Sequence, residues 1–588
     1  MATKPPAALG PTDTASSRQA KSVRRLAPIW FAATAVFLLL GLAWSLATPL
    51  GSAPDEASQA IRAAAIVRGE WIGHPVRGQP KAVTGVVVPD SIADLSQLPL
   101  CYMGRPNQSA ACAPPDTRSS RATPALTYMG HYPPLYYLLV GPPSLWLSGP
   151  AAVYAMRALS SLWAALFLGL AFAVVARWSR NPLMLPALLV AITPMTIYLD
   201  AVINASGLEI SAAVAAWTST LILITEHADD PPPGLVAASG LSVAVLACVR
   251  GLSPLWVAII ALVAMASNPL GARRLLTRPL VRRWIAGLVV IGTLATTWIL
   301  TAGSLTVLPD GVPVPHRASR EEILVLALGR MGLFLREAIG VFGWLDTPSP
   351  LLTYLIWGLL GALMVATALL LGRRWKLIVF GSFLILVILL PALLIASRAR
   401  FDGLIWQGRD GLPLWIGVPL LAACTPTRAD RTMPSSPNLL RRFVALTTIL
   451  ACSAQLLAWY WALRRNIVGL AGPLDVFSRS QGVWHPPVVV PLLLFVAVLG
   501  TVSYATLGLH LHPRSDRRGS SRGSVSSAHT LQPAGFPQGG AITKEPRRQS
   551  FLADDITQVF HQHDGWQSTV LLRPSQARWR RRPLRRLK

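Results

Sequence analysis

A chain of 588 residues that is 52% apolar and only 13% charged lies outside the soluble class, whose domains carry about 25% charged residues, and reads as a polytopic membrane protein. Its net charge of +27 would point to nucleic acid in a soluble protein. Here Lys and Arg punctuate apolar blocks as cytoplasmic loops do, so nucleic acid is set aside and membrane lipid is the expected partner.

Polar residues 1–27 lead through Lys21, Arg24 and Arg25 into an apolar span over 28–46. That span is long enough to stay in the bilayer as a signal anchor, with the N-terminus in the cytoplasm. Residues 49–152 are too polar to cross and predict a long first extracytoplasmic loop bearing interfacial helices. The loop opens on Asp55-Glu56, at the start of a predicted helix in which Ala57, Ala60, Ile61, Ala64 and Ala65 share a face while Gln59 and Arg62 turn away. Two readings of the acidic pair stay open: it caps the helix and complements its dipole, or it faces a reaction at the bilayer surface. Further on, GHYPPLYYLLVGPPSLWL is broken by Pro133, Pro134, Pro142 and Pro143, which favours an interfacial helix over a crossing. Cys101 and Cys112 flank a Pro-bearing stretch of the same loop. Outside the cytoplasm they are expected to form a disulfide, contributing about 3 kcal/mol by loop closure. Cys248, Cys424 and Cys452 fall in apolar spans as inert thiols.

Eleven more apolar blocks follow, at 158–176, 183–199, 210–224, 235–249, 252–266, 285–302, 351–371, 377–396, 412–424, 443–463 and 488–509. With the first they predict an all-α fold of about twelve crossings over 28–509. Arg250-Gly251-Leu252-Ser253-Pro254 interrupts 235–266, which predicts two short helices joined by a turn. One orientation puts Arg177, Arg180, the basic run at 272–283, Arg373-Arg374 and Arg441-Arg442 on the cytoplasmic side. Residues 510–588, rich in Ser, Gly, Pro and Arg, predict a basic, disordered cytoplasmic tail. Its end, RWRRRPLRRLK, either rests on anionic lipid or is solvated.

The middles of the spans hold almost no ionisable residue, which argues against an ion-coupled transporter. No phosphate-cradling Gly-rich loop is visible, which argues against direct use of a cytoplasmic nucleotide. Polar groups gather instead at the outer ends: Asp55, Glu56, Asp200, Asn204, Glu209, Arg250, Asp346, Arg398, Arg400, Gln407, Arg409 and Asp410.

A first span followed by PDE, then HYPPLYY and an Arg-led second span, resembles the GT-C superfamily of membrane glycosyltransferases. Within it, TPMTIYLDAVINASGLE, FGWLDTPSP and WQGRDGLPL are similar to a family of predicted polytopic proteins common in actinobacteria. The resemblance implies sugar transfer from a polyprenyl-phosphate carrier to a glycan, lipid or protein acceptor on the outer face of a bacterial plasma membrane, in cell-envelope glycan assembly. A carboxylate near the acceptor hydroxyl suits a general base; Asp55 is first choice, with Glu56 as helper or helix cap. The lipid-phosphate leaving group calls for fixed cations or a metal, for which Arg250, Arg400 and Arg409 are candidates. Gln407 lies beside Gly408, which permits close backbone approach. His131 and Tyr132 would line the acceptor groove. Asp200 resembles a second acidic position used near a metal in some GT-C enzymes, making Asp55 and Asp200 candidate ligands of a divalent ion, the one cofactor implied.

Plainer readings stand beside these. Arg250 and Arg409 would snorkel to the interface, Asp200 would end a helix in water, and His131-Tyr132 would be a packed interfacial pair. Asp410 stands where the similar family has an aromatic residue, and an Arg409–Asp410 pair would mute the phosphate role. The alternative functions are a lipid-linked glycan flippase or exporter, whose polar-lined spans are not found, and a non-catalytic membrane scaffold.

Overall fold

The computed structural model describes residues 15–510 except 117, 307, 309–310, 316–317, 427–436 and 477–481. The expectations for the first residues and for the basic tail beyond 510 lie outside the described residues. In chain order the first half comprises α1 (Ala15–Ala47), α2 (Glu56–Ile66), β1 (His74–Pro75), β2 (Thr84–Pro89), α3 (Asp90–Ala93), β3 (Ala122–Thr127), α4 (Leu135–Val140), α5 (Gly149–Trp178), α6 (Met184–Ala191), α7 (Pro194–Asp200), α8 (Ala205–Glu226), α9 (Pro233–Ala247) and α10 (Ser253–Ser267). The second half follows with α11 (Pro269–Leu276), α12 (Pro279–Ala302), α13 (Arg320–Gly329), α14 (Met331–Gly340), β4 (Val341–Phe342), β5 (Thr347–Pro348), α15 (Leu351–Leu371), α16 (Arg374–Asp402), α17 (Gly408–Trp415), α18 (Gly417–Cys424), α19 (Pro437–Val468) and α20 (Val490–His510).

Each apolar block of the sequence becomes helical, yet the described helices long and apolar enough to cross a membrane number seven, or up to eight if α10 and α11, bent by 112°, count as one span. The expectation of twelve crossings is corrected by helix breaks. Block 183–199 divides at Thr193-Pro194, where the Thr193 side chain caps α7 and Pro194 takes its first turn. Block 412–424 is split between α17 and α18. Helices of 15 residues such as α9 and α10 reach only about 22 Å, against about 30 Å of hydrocarbon.

The all-α expectation is also corrected. The β-branched run Thr84-Gly-Val-Val-Val favours a strand, and β1-β2-β3 form an antiparallel sheet in the first loop, with Thr84 opposite Thr127 and Pro89 opposite Ala122; β4 and β5 form a second, two-stranded sheet. Against the first sheet packs α2, all eleven of whose residues are buried, Gln59 and Arg62 included. It is therefore an internal helix and not an interfacial one. Its alanines allow this closeness: a Cβ on Gly141, just after α4, would meet the Ala63 carbonyl at 2.2 Å. The polar side chains on α2 are met from outside the helix, since the Tyr137 hydroxyl donates to Gln59 Oε1 at 2.7 Å and Arg62 lies over the Tyr137 ring. Farther into the chain, α1 runs along α5 and α20 while α8 is enclosed between α5, α9 and α10. The starts of α8, α10 and α17 come near the start of α2.

Candidate active site

Asp55 immediately precedes α2 with its backbone in the left-handed region, φ +63°, a conformation that costs a non-glycine residue about 1–2 kcal/mol and that Asp tolerates better than most. Its neighbours hold it there. On one side the Pro54 carbonyl accepts from Asn204 Nδ2 at 2.9 Å. On the other, Glu56 is wholly buried, receiving Arg157 Nε and Nη2 at 2.6 Å each and the backbone N–H groups of Gly51 and Ile203 at 3.0 and 3.2 Å. Arg157 completes its donor set on the carbonyls of Ser45, Thr48 and Pro49. The end of α1, the start of α2 and the segment before α8 are thereby pinned to one Arg157–Glu56 pair.

This arrangement separates the two acids. Asp55 makes no side-chain capping bond to α2, so the capping reading does not hold for it. Glu56 caps nothing either; it is the counter-ion of Arg157. The Asp55 carboxylate instead receives the Tyr128 hydroxyl on Oδ1 at 2.9 Å and Arg409 Nη2 on Oδ2. Burial, then the charge of Asp55 and its hydrogen bond, push the Tyr128 phenol well above its ordinary value, so it remains a donor.

A second cation stands beside the first. Arg250, in the turn between α9 and α10, donates to Glu209 Oε2 at 3.1 Å and to Asp410 Oδ1 at 3.2 Å, while the Ser253 hydroxyl donates to Glu209 Oε1 at 2.7 Å. Asp410 also receives the Gln407 N–H at 3.1 Å, closing the first turn of α17. The expected Arg409–Asp410 pair does not form, because adjacent helical residues do not face each other; each takes a partner from another element. Burial opposes the charge on both guanidinium groups, but Asp55 and Asp410 outweigh it at Arg409, and Glu209 and Asp410 at Arg250. Two nitrogens of Arg409, Nε and Nη1, are buried and have no protein acceptor. The side chains of Asp55, Arg250 and Asp410 are each about a fifth exposed, with Arg409 behind them at 8%. The result is a partly exposed charged cluster in which the carboxylates of Asp55 and Asp410 meet the guanidinium groups of Arg250 and Arg409.

A family model for predicted membrane proteins, DUF2142, matches residues 38–418, more than half of the chain and the whole of this cluster. The chain belongs to that family. No curated protein matches it. Among solved structures, the crystal structure of ArnT from Cupriavidus metallidurans bound to undecaprenyl phosphate is similar over 85% of this chain and 78% of that one, at 13% identity and a TM-score of 0.37, a likeness too remote to carry an argument.

In this DUF2142 chain the remaining expected residues divide between the Asp55 cluster and other packing. Tyr132 lies within electrostatic reach of Arg250, Asp55 and Asp410, and burial raises its phenol. His131 instead ties the loop to α12, with Nδ1 2.6 Å from the Ala302 carbonyl and Nε2 3.1 Å from that of Lys81. Arg400 donates to the Ala318 carbonyl at 2.7 Å, in the packing of α16 against α13, with no bond to the Asp55 group. Gln407 contributes its backbone; its side-chain Oε1 is buried without a partner. Asp200 accepts from the Ser211 hydroxyl at 2.9 Å. Asp55 is occupied by a guanidinium and a phenol, and among the described residues no group of three or more His, Cys, Asp or Glu is placed to hold a metal; the donor set does not fit a divalent ion. Cys101 and Cys112 are joined as a disulfide, and the Ser109 hydroxyl ties that loop to the Ile467 carbonyl at 2.7 Å.

Four residues of the centre had no role assigned from sequence. Tyr128 and Glu209 touch the cluster, Arg157 organises it, and Glu337 Oε2 accepts the Gly408 N–H at 2.7 Å, holding the backbone next to Arg409. The available signals were the charge of Arg157 at the head of the second span and the place of Glu209 among the polar groups at span ends.

Proposed function

We propose that the protein transfers a sugar from a polyprenyl-phosphate carrier to an acceptor on the extracytoplasmic face of a bacterial plasma membrane, with both termini in the cytoplasm. The observation that carries this reading is Asp55, held in a left-handed backbone, free of any side-chain capping bond, a fifth exposed and set against Arg409. In the reaction the acceptor hydroxyl oxygen bonds to the anomeric carbon and passes its proton to the Asp55 carboxylate. The bond from that carbon to the phosphate oxygen breaks, and the lipid phosphate leaves with the electron pair. Arg250, the more exposed of the two guanidinium groups, would bind the growing negative charge, with Arg409 adding its positive field from behind. Tyr128 on Oδ1 and Arg409 on Oδ2 fix the orientation of the carboxylate, and the remaining lone pairs would take the proton. No step requires a metal.

The reading also fits the chain's charge pattern, which puts the Asp55 loop opposite the basic loops. Mass spectrometry of cell-envelope glycans from cells with and without the protein tests it. A sugar present only when the protein is present is the expected outcome; identical glycans would refute it.

A further inference from the structure

A second concavity lies at the other end of α2. Beyond Ile66, Arg68 is held by three bonds, from Nη1 to the Ala64 carbonyl at 2.7 Å and the Ser144 hydroxyl at 2.9 Å, and from Nη2 to the Ser144 carbonyl at 2.5 Å. It forms one wall of a 420 Å³ cleft between the β2–β3 edge and the turn that leads into α5, also lined by Ser120, Ala122, Ser144, Trp146 and Ser148. Trp146 is 78% exposed, which leaves a face of its ring open to a ligand.

The position of the cleft decides what can reach it. At 30 residues, α5 is about 45 Å long, some 15 Å more than the hydrocarbon layer, and its Arg177 end is the cytoplasmic one. With Arg177 at the cytoplasmic interface, an upright α5 would carry its Gly149 end, and the cleft beside it, beyond the acyl chains. The lining is chemically mixed: Trp146, Leu145, Leu147, Val87 and Val88 are apolar, three serines are polar, and one guanidinium, Arg68, is bonded only to neutral groups of Ser144 and Ala64. An anionic headgroup would find that single cation and no second basic side chain in the lining. A pyranose or furanose ring presents an apolar C–H face to stack on Trp146 and a rim of hydroxyls for the serines and Arg68, the combination of apolar surface and few oriented polar groups that defines small-ligand sites.

We infer that this cleft binds the glycan chain of the acceptor, a reading that rests on glycosyl transfer as the reaction. The eleven residues of α2 separate it from Asp55 by about 16 Å, so a chain of several sugars anchored there presents its end at the Asp55 cluster.

The test uses the full-length protein in lipid nanodiscs and, as probe, oligosaccharides released from the envelope of cells lacking the protein, arrayed beside phosphatidylglycerol. Wild type and Asp55→Asn should bind the oligosaccharides equally. Trp146→Ala, at an exposed position that folding does not depend on, should bind about tenfold more weakly, the loss of one stacking contact of about 1.4 kcal/mol. Ala122→Trp, which puts a bulky ring into the cleft lining, should abolish binding. Equal binding by Trp146→Ala and wild type, no bound oligosaccharide at all, or binding to phosphatidylglycerol alone would each overturn the inference. Because this readout is binding, it can fail while Asp55→Asn still abolishes transfer in cells, which separates a wrong cleft from a wrong reaction.

Discussion

Glu56→Gln and Arg157→Met test whether the second acid of the pair is structural. Both side chains have no solvent exposure, and removing one partner of such a pair costs about 3–5 kcal/mol because the other is left buried and charged. Glu56→Gln preserves shape and acceptor capacity on one oxygen and belongs at the lower end, about 3 kcal/mol. Arg157→Met strands the Glu56 carboxylate and the carbonyls of Ser45, Thr48 and Pro49 and belongs at the upper end, about 5 kcal/mol. Against a typical total of about 5–15 kcal/mol, either change is severe. Denaturant titration in detergent micelles, followed by tryptophan fluorescence, gives the two single losses, and the double variant should lose less than their sum. Wild-type stability in Glu56→Gln together with lost sugar transfer would refute the reasoning and return Glu56 to the chemistry.

Further outcomes follow from the same geometry. Tyr128→Phe removes one hydrogen bond to Asp55 and should lower stability by about 1 kcal/mol, with a reduction but no loss of transfer measured in membranes. Asp55→Ala should be less stable than Asp55→Asn by about 1 kcal/mol, since alanine accommodates the left-handed backbone less well; paired unfolding curves check this. Burial raises the Glu337 carboxyl above its ordinary 4.5, so the folded protein binds that proton more tightly than the unfolded chain. Stability from this group is therefore full at acid pH and falls as pH rises from 4.5 through the raised value, and Glu337→Gln should flatten that slope in melting curves taken across the window. Reduction of Cys101–Cys112, or their joint replacement by serine, should destabilise the outer loop by about 3 kcal/mol, visible as faster proteolysis between β2 and β3.

How far the sequence was legible depended on the range of the interactions. Apolar composition located the helices, because a bilayer demands long apolar runs whatever their neighbours do. It did not count the crossings: Thr193-Pro194 ends one helix and begins another within a run that hydropathy treats as continuous. Helical spacing on α2 suggested one apolar face, yet Gln59 and Arg62 are buried with the rest because Tyr137 and Tyr132, some seventy residues on, meet them. The candidate site divides the same way. Asp55, Arg250 and Arg409 were visible as polar groups at outer ends, and the fold brings them together. Their pairing was not visible, since Asp55–Arg409 joins residues 354 positions apart and Glu56–Arg157 residues 101 apart. No local pattern encodes such a choice. The adjacent Arg409 and Asp410 looked like partners only because sequence neighbours are easy to see.

The claim at the centre is that Asp55 takes the acceptor's proton while Glu56 holds the fold. It is tested most directly in cells lacking the chromosomal copy and carrying either the wild-type or the Asp55→Asn protein, with envelope glycans compared by mass spectrometry and membrane insertion checked by immunoblot. Asparagine suits the left-handed backbone and can still accept from Tyr128, so the variant should insert normally. Its glycans should match those of cells with no protein at all. Glycans matching the wild type, with the variant at normal abundance, would contradict the account.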